Sequence, residues 1–124
     1  MMVTLWIAVT LLGGLGAVAR FLVDRAVSGP TTPPFPIGIL VVNISGATLL
    51  GFLSGLALGP HTALLIGTAF LGSYTTFSTW MFQSQRLAEE RRFALALANV
   101  GVSVVLGLAG VWLGATLAGL IHTP

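Results

Sequence analysis

Four long apolar stretches separated by three short breaks organise this chain. A helix needs about 20 apolar residues to cross about 30 Å of hydrocarbon, and each stretch is long enough. The breaks are SGPTTPPFP at 28–36, GP at 59–60 and the hydrophilic QRLAEERR at 85–92, which end helices through proline, glycine or charge. The pattern predicts an all-α membrane protein with one four-helix transmembrane domain over 1–124, its spans lying at about 3–23, 37–58, 62–84 and 93–121.

The composition supports a multi-pass protein of the cell membrane. Hydrophobic residues make up 56% of the chain and charged residues 6%, with a mean hydropathy of +1.02. A water-soluble domain has roughly 25% charged residues, so this chain has too few to cover a soluble fold. The sequence has no cysteine, which excludes disulfide and thiol chemistry.

The arginines give a topology signal. All five lie beside the first and third loops, and the second loop and the two ends of the chain have none. The positive-inside rule therefore predicts that loops 1 and 3 face the cytoplasm and that both ends lie outside. The basic balance is interpreted as this signal and not as a nucleic-acid surface, so no nucleic-acid partner is predicted. The arginines are Arg20, Arg25, Arg86, Arg91 and Arg92.

Glycine content and chain length bear on assembly. Four helices built from 124 residues do not easily enclose an aqueous path and still pack, so an oligomer is predicted. The 16 glycines suit helices that pack closely in lipid, as in GFLSG at 51–55 and GVWLG at 110–114. These two motifs serve either packing within one subunit, which is favoured, or a dimer face.

Two asparagines stand within the apolar spans. Asn43, in VVNISG, places a carboxamide in span 2, where an unpaired polar group costs several kcal/mol. It therefore either bonds a neighbouring helix or lines a pathway. Asn99 and Ser103 lie one turn apart in span 4 and form either a polar stripe or interhelical hydrogen bonds.

Other polar side chains in the spans have simpler interpretations. Ser45, Thr48 and Ser54 are expected to donate their hydroxyl protons to the carbonyl one turn earlier. His61 and His122 lie at span ends and are predicted to be interfacial rather than metal ligands. Neither metal-ligand spacing nor a catalytic dyad is found in the sequence.

The third span contains the densest group of hydroxyls, in LGSYTTFSTW at 71–80. The density around Gly72 predicts a break in the helix, which would leave free amides on one half and free carbonyls on the other. Carbonyls suit a cation, whereas amide and hydroxyl donors suit an anion. The rings of Phe77 and Trp80 either present their positive edges to an anion or pack in the core. The residues alone thus predict an oligomeric ion pathway without choosing the ion.

Three segments resemble the Fluc/CrcB family of small fluoride channels: GGLGAVARF at 13–21, IGILVVNISG at 37–46 and FLGSYTTFSTW at 70–80. The resemblance implies an ion channel and not an enzyme, with passive export of cytoplasmic fluoride. It further implies an antiparallel, dual-topology dimer of four-helix subunits with two fluoride pores. A structural sodium ion on the two-fold axis completes the expected assembly.

The resemblance also assigns roles by motif position. The main-chain carbonyls of Gly72 and Thr75, from both subunits, would hold the sodium ion. Arg20 would lie toward the vestibule of the fluoride pathway. The other residues of the pathway would be Asn43, Phe77, Ser78, Thr79, Trp80 and Ser103.

Three features depart from the family's usual pattern. Trp80 stands where the family usually repeats phenylalanine, and Asn99 stands where the fourth helix often has a polar aromatic residue. The arginine bias is the third, because opposed identical subunits need a nearly balanced distribution. The chain therefore forms a homodimer or a heterodimer with an oppositely oriented homologous subunit. In the second case it is a non-conducting or obligate-partner subunit of a two-gene fluoride channel.

Two other classes of protein have weaker support. A small proton-coupled multidrug exporter has a similar size, but it needs a carboxylate within a span. Here Glu89 and Glu90 lie in a loop and Asp24 at a helix end. An intramembrane serine protease is suggested only by NISG at 43–46, and no histidine lies at matching depth.

Overall fold

A computed structural model describes residues 1–30 and 35–121, and this part of the chain is helical with no strand. The third segment, α3 (60–74), is continuous but varied: it begins as Pro60–Thr62, becomes a π-helix over Ala63–Leu71 and ends as Gly72–Tyr74. The other helices are α1 (Met2–Ser28), α2 (Ile37–Gly55), α4 (Ser78–Glu89) and α5 (Phe93–Ile121).

Three of these helices, α1, α2 and α5, are long and apolar enough to cross a membrane. The predicted third span is instead divided between α3 and α4. The predicted break is therefore present, but it lies at 75–77, three residues after Gly72. Gly72 stays helical because its N–H donates to the Gly67 carbonyl in the π-helical pattern.

The helix ends differ from the predicted span ends for local reasons. Helix α1 continues beyond the predicted limit, through Asp24, until Gly29 adopts a positive φ of 76°. Helix α2 ends before its predicted limit because Ala57 has a φ of 53°. The predicted turn at Gly59–Pro60 is confirmed, with Pro60 as the first residue of α3.

Helices α2 and α5 pack closely through glycines. A Cβ atom on Gly51 would collide with the backbone of Val111, and one on Gly114 would collide with the backbone of Thr48. The two GxxxG motifs thus lie against each other within one chain, and the interpretation as packing within a subunit is confirmed.

A small core holds α3 against α2. Val42, Leu71 and Tyr74 are buried together, and the Tyr74 hydroxyl lies 2.9 Å from the Ser45 hydroxyl. Gly46 lets this end of α3 approach, because a Cβ there would collide with Thr75. Most other large apolar side chains are exposed, as expected for helices surrounded by lipid. The core therefore fixes the end of α3, where the break begins.

Candidate functional site

The break between α3 and α4 is held by Asn43 of α2. Its Oδ1 accepts the Thr76 N–H at 2.9 Å, and its Nδ2 donates to the Thr76 carbonyl at 2.9 Å. Helix ends leave such groups without intrahelical partners, and lipid offers none. Asn43 replaces the helical hydrogen bonds that Thr76 lacks, so the interhelical interpretation of this carboxamide is confirmed.

The hydroxyl of Thr76 begins the second half-helix. Thr76 is buried, and its Oγ1 accepts the Thr79 N–H at 3.2 Å and lies 3.4 Å from the Ser78 hydroxyl. A threonine oxygen that accepts the N–H three residues later is a helix-capping arrangement. Thr76 as a cap was not predicted, because it is one of several hydroxyl residues between Gly72 and Trp80 and nothing in the sequence distinguishes it from the others.

Asn43 also borders a cavity of about 250 Å³ at the break. A carboxamide has two N–H donors, and the Thr76 carbonyl accepts only one of them. The second N–H is available to the cavity. The structure brings together four of the predicted pathway residues here, since the lining consists of Asn43, Thr75, Thr76, Phe77, Trp80, Ser103 and Gly107.

Two aromatic rings form one wall of this cavity. The rings of Phe77 and Trp80 are 5.7 Å apart and meet edge to face at 81°. Phe77 is 69% exposed in the single chain, so it is not part of the chain's core. An edge-to-face pair fixes which parts of the rings face outward, and a ring edge carries the positive end of the quadrupole.

Ser103 borders the cavity, and its Oγ is buried in the single chain. The residue is 8% exposed, and its hydroxyl has no hydrogen-bond partner within the described part of the chain. The expected back-bonding of the other serine and threonine hydroxyls is confirmed, with bonds from Ser45 to Val42, Thr48 to Ile44 and Ser54 to Gly51.

Asn99 forms interhelical hydrogen bonds and does not line the cavity. Its Nδ2 donates to Ser84 Oγ at 2.8 Å, and its main-chain carbonyl accepts the Trp80 indole N–H at 3.1 Å. The two departures from the family pattern, Trp80 and Asn99, are thus joined by a hydrogen bond. Ser84 was not predicted, because its only signal in the sequence is a hydroxyl one turn after Trp80.

Three predicted pathway residues lie outside the cavity lining. Ser78 is exposed, Thr79 is partly buried on α4, and Arg20 is partly buried on α1. Their roles remain predictions from the resemblance. Of the two histidines, His61 is exposed in the first turn of α3, and His122 lies outside the described residues.

The carbonyls of Gly72 and Thr75 lie beside the break. Among the hydrogen bonds that the structure describes at this break, none reaches either oxygen. Both residues border a wide cleft of about 760 Å³ between α2 and α3. Across residues 1–30 and 35–121, no group of three or more His, Cys, Asp or Glu side chains is placed to hold a metal ion. Uncharged oxygens, of the main chain and of hydroxyl and carboxamide side chains, are the ligands that the lining of this cleft offers to a cation.

The fold and this site define a multi-pass membrane protein with a small cavity at a discontinuous helix. Residues 7–115 match the family described as "CrcB-like protein, Camphor Resistance (CrcB)". The chain belongs to the CrcB family.

Relatives cover nearly the full chain. It is 60% identical over 119 residues to "Fluoride-specific ion channel FluC 2" of Mycolicibacterium paratuberculosis, covering 96% of this chain and 98% of that protein. The FluC 2 of Mycobacterium tuberculosis is 60% identical, covering 94% and 92%. "Fluoride-specific ion channel FluC 1" of Leifsonia xyli is 38% identical, covering 95% and 89%. Membership in this family decides against a multidrug exporter or a serine protease.

Proposed function

We propose that this chain forms a fluoride-specific ion channel that exports cytoplasmic fluoride by passive permeation. The family and the names of its 60% identical relatives support this activity. The chain's three acidic residues, Asp24, Glu89 and Glu90, all lie at or near helix ends. No carboxylate is therefore positioned at depth to couple transport to protons, which supports passive permeation.

The observation that carries the proposal is the unpaired, buried hydroxyl of Ser103 beside the cavity. A small anion must exchange its hydration shell for donors if it is to cross the membrane. Ser103 offers an O–H, Asn43 offers its second N–H, and the rings offer their edges. The cavity offers no formal positive charge, so the anion is held weakly enough to leave.

A second subunit completes the proposed pore. Phe77 is largely exposed in one chain, and the cleft between α2 and α3 is open. An antiparallel dimer would cover both and generate two fluoride pathways. The partner is a second copy or an oppositely oriented homologue. The arginine bias and the numbered names FluC 1 and FluC 2 among the relatives support the second alternative.

A sodium ion at the dimer centre fits the carbonyls of Gly72 and Thr75. These oxygens are free of hydrogen bonds at the break, and carbonyl oxygen is a hard ligand suited to sodium. Two subunits would supply four such oxygens. When bound, the ion would place a positive charge between the α3–α4 breaks of the two subunits. If it binds there, the dimer should unfold at a higher temperature in sodium chloride than in N-methylglucamine chloride at equal ionic strength.

Efflux from liposomes tests the proposed activity. Liposomes containing the purified chain, alone or with an oppositely oriented homologue, are loaded with fluoride or chloride, and the released anion is measured with an ion-selective electrode. We expect rapid release of fluoride and little release of chloride. Release by the chain alone would establish a homodimer, and release only with the homologue would establish a heterodimer. The proposal would be wrong if neither preparation released fluoride faster than protein-free liposomes.

A further inference from the structure

The main-chain carbonyl of Asn99 is the acceptor within reach of two different donors. The indole N–H of Trp80 donates to it at 3.1 Å. Ser103 follows Asn99 by one helical turn on α5, so this is the carbonyl to which its hydroxyl would ordinarily donate. The structure shows the first hydrogen bond and not the second.

Hydroxyls elsewhere in the chain show what Ser103 lacks. Thr116, on the same helix, donates to the carbonyl of Trp112 at 2.8 Å, and Thr48 donates to that of Ile44 at 2.8 Å. Neither of those carbonyls accepts an indole. A carbonyl oxygen has two lone pairs, and within α5 the Asn99 oxygen already serves the helical N–H of Ser103. The indole takes the remaining lone pair, so the Ser103 hydroxyl could reach this oxygen only by sharing it, as Asn99 Nδ2 shares the Trp80 carbonyl with Ser84 at the longer distance of 3.5 Å.

Side-chain hydrogen bonds hold Trp80 in this position. Asn99 is 1% exposed, and its Nδ2 donates to Ser84 Oγ at 2.8 Å. Ser84 in turn donates to the Trp80 carbonyl at 3.0 Å. The first of these bonds joins α5 to α4, and the second links Ser84 to the main chain of Trp80 within α4. Because an indole has one N–H donor, the donor bound to Asn99 is not available to an anion in the cavity.

We infer that Trp80 is a positioning residue for Ser103: its indole N–H occupies the Asn99 carbonyl and thereby leaves the Ser103 hydroxyl free to donate to the permeating anion. This inference rests on the proposed function. It assigns the hydrogen-bond donation to Ser103 and leaves Trp80 to contribute through its ring surface. It also explains why a buried serine in a helix has no acceptor of its own.

A double-mutant cycle tests the coupling. Ser103→Ala in the parent removes the free donor, so fluoride efflux should fall about tenfold or more. In Trp80→Phe the Asn99 carbonyl is released and Ser103 can bond back to it. Efflux should therefore fall, and adding Ser103→Ala should change it by less than about twofold. Trp112→Phe is the matched control, since Trp112 is 69% exposed on α5 and lies outside the cavity. In that background Ser103→Ala should keep its full effect.

A spectroscopic measurement tests the indole without relying on a cavity mutant. Trp6→Phe with Trp112→Phe leaves Trp80 as the sole tryptophan, and its indole N–H resonance can be followed during a sodium fluoride titration. We expect the resonance to stay in place, because the proton is bound to Asn99. A large fluoride-dependent shift would overturn the inference. So would an equal effect of Ser103→Ala in the parent and in Trp80→Phe, or no effect in a conducting parent. A parent that released no fluoride would instead overturn the proposed function.

Discussion

Asn43 and Thr76, 33 residues apart in the chain, form a closed pair in which the Nδ2 and Oδ1 of the Asn43 carboxamide bond the carbonyl and the N–H of Thr76. This pair imitates the pairing of two backbone segments and stabilises an interruption that lipid would otherwise penalise. The same side chain borders the cavity, and its second N–H donor is not used by Thr76. Structural support and proposed anion contact therefore come from one side chain.

Asn43→Asp should separate these two contributions only in part. The carboxylate can still accept the Thr76 N–H, but it places a second oxygen against the Thr76 carbonyl and a negative charge beside the pathway. We expect fluoride efflux to fall more than about tenfold, and the free energy of unfolding to decrease by about 1–3 kcal/mol. Efflux and thermal unfolding measure the two effects.

Ser54→Ala is the control for Asn43→Asp. Ser54 lies on the same helix, and its hydroxyl bonds only the carbonyl of Gly51. It should keep both efflux and stability near the parent values. If Asn43→Asp conducted as well as the parent, Asn43 would be a structural residue alone. If Asn43→Asp abolished the dimer on sizing chromatography, the loss of efflux would be attributed to assembly.

Phe77→Ile tests the ring edges. Isoleucine keeps much of the hydrophobic volume but removes the aromatic edge and the edge-to-face contact with Trp80. Because Phe77 is largely exposed in the single chain, the chain's own stability should change by less than about 1.5 kcal/mol. Fluoride efflux should fall about tenfold or more. Liposome efflux and thermal unfolding provide the measurements.

Phe82→Ile is the matched control for Phe77→Ile. Phe82 lies on α4, which begins one residue after Phe77; it is 59% exposed and does not line the cavity. The same chemical change there should leave efflux near the parent rate. Equal loss of efflux in both variants would show that removal of any aromatic ring from this segment impairs efflux, so the loss in Phe77→Ile would not be specific to the cavity. Normal efflux by Phe77→Ile would exclude the aromatic-edge mechanism for this protein.

The positions of the helices can be predicted well from the sequence, because they depend on the chemistry of the side chains. Apolar length and the proline, glycine and charged breaks locate the helices, and one asparagine in an apolar span demands a partner. The identity of that partner, the backbone of Thr76, has no side-chain signature. The break was predicted near Gly72 because hydroxyls gather there. It lies three residues later because Thr75 donates both its N–H and its hydroxyl to the Leu71 carbonyl, which completes the last turn of α3.

The bond from Trp80 to Asn99 was equally invisible in the sequence. Its acceptor is a main-chain carbonyl, and every residue has one. In the sequence, Trp80 and Asn99 are therefore two separate departures from a family pattern. Only the packing of α4 against α5 shows that Trp80 and Asn99 are hydrogen-bonded to each other.

Gly114→Ala should weaken the contact between α2 and α5. The new methyl group would meet the main chain of Thr48 and Phe52, and backbone does not yield as a flexible side chain does. Overpacking of this kind costs about 1–3 kcal/mol, so the unfolding temperature should fall. Gly119→Ala, on the same helix, is the control because nothing lies within 4 Å of its added methyl group. If the two variants unfolded at the same temperature, the close packing at Gly114 would not contribute to stability.

The arginine distribution leads to the last prediction, which concerns orientation. Arg86, Arg91 and Arg92 lie at the end of α4 and its following turn, and no arginine lies at the turn between α2 and α3. A single orientation with the α4 end in the cytoplasm is therefore expected in most copies. Gln85→Cys and Gly59→Cys place thiols at exposed positions on these two ends without changing the charge, and the chain has no cysteine of its own.

In intact cells, a membrane-impermeant maleimide should label Gly59→Cys and leave Gln85→Cys unlabelled until the cells are opened. Gly59 suits this substitution because nothing lies within 4 Å of an added Cβ and its φ of −62° suits any residue. The expected result would require an oppositely oriented homologue for an antiparallel assembly, since copies of one orientation cannot supply it. Equal labelling of both positions from outside would show that the chain inserts in both orientations. The argument for a separate partner would then fail, and an antiparallel homodimer would remain.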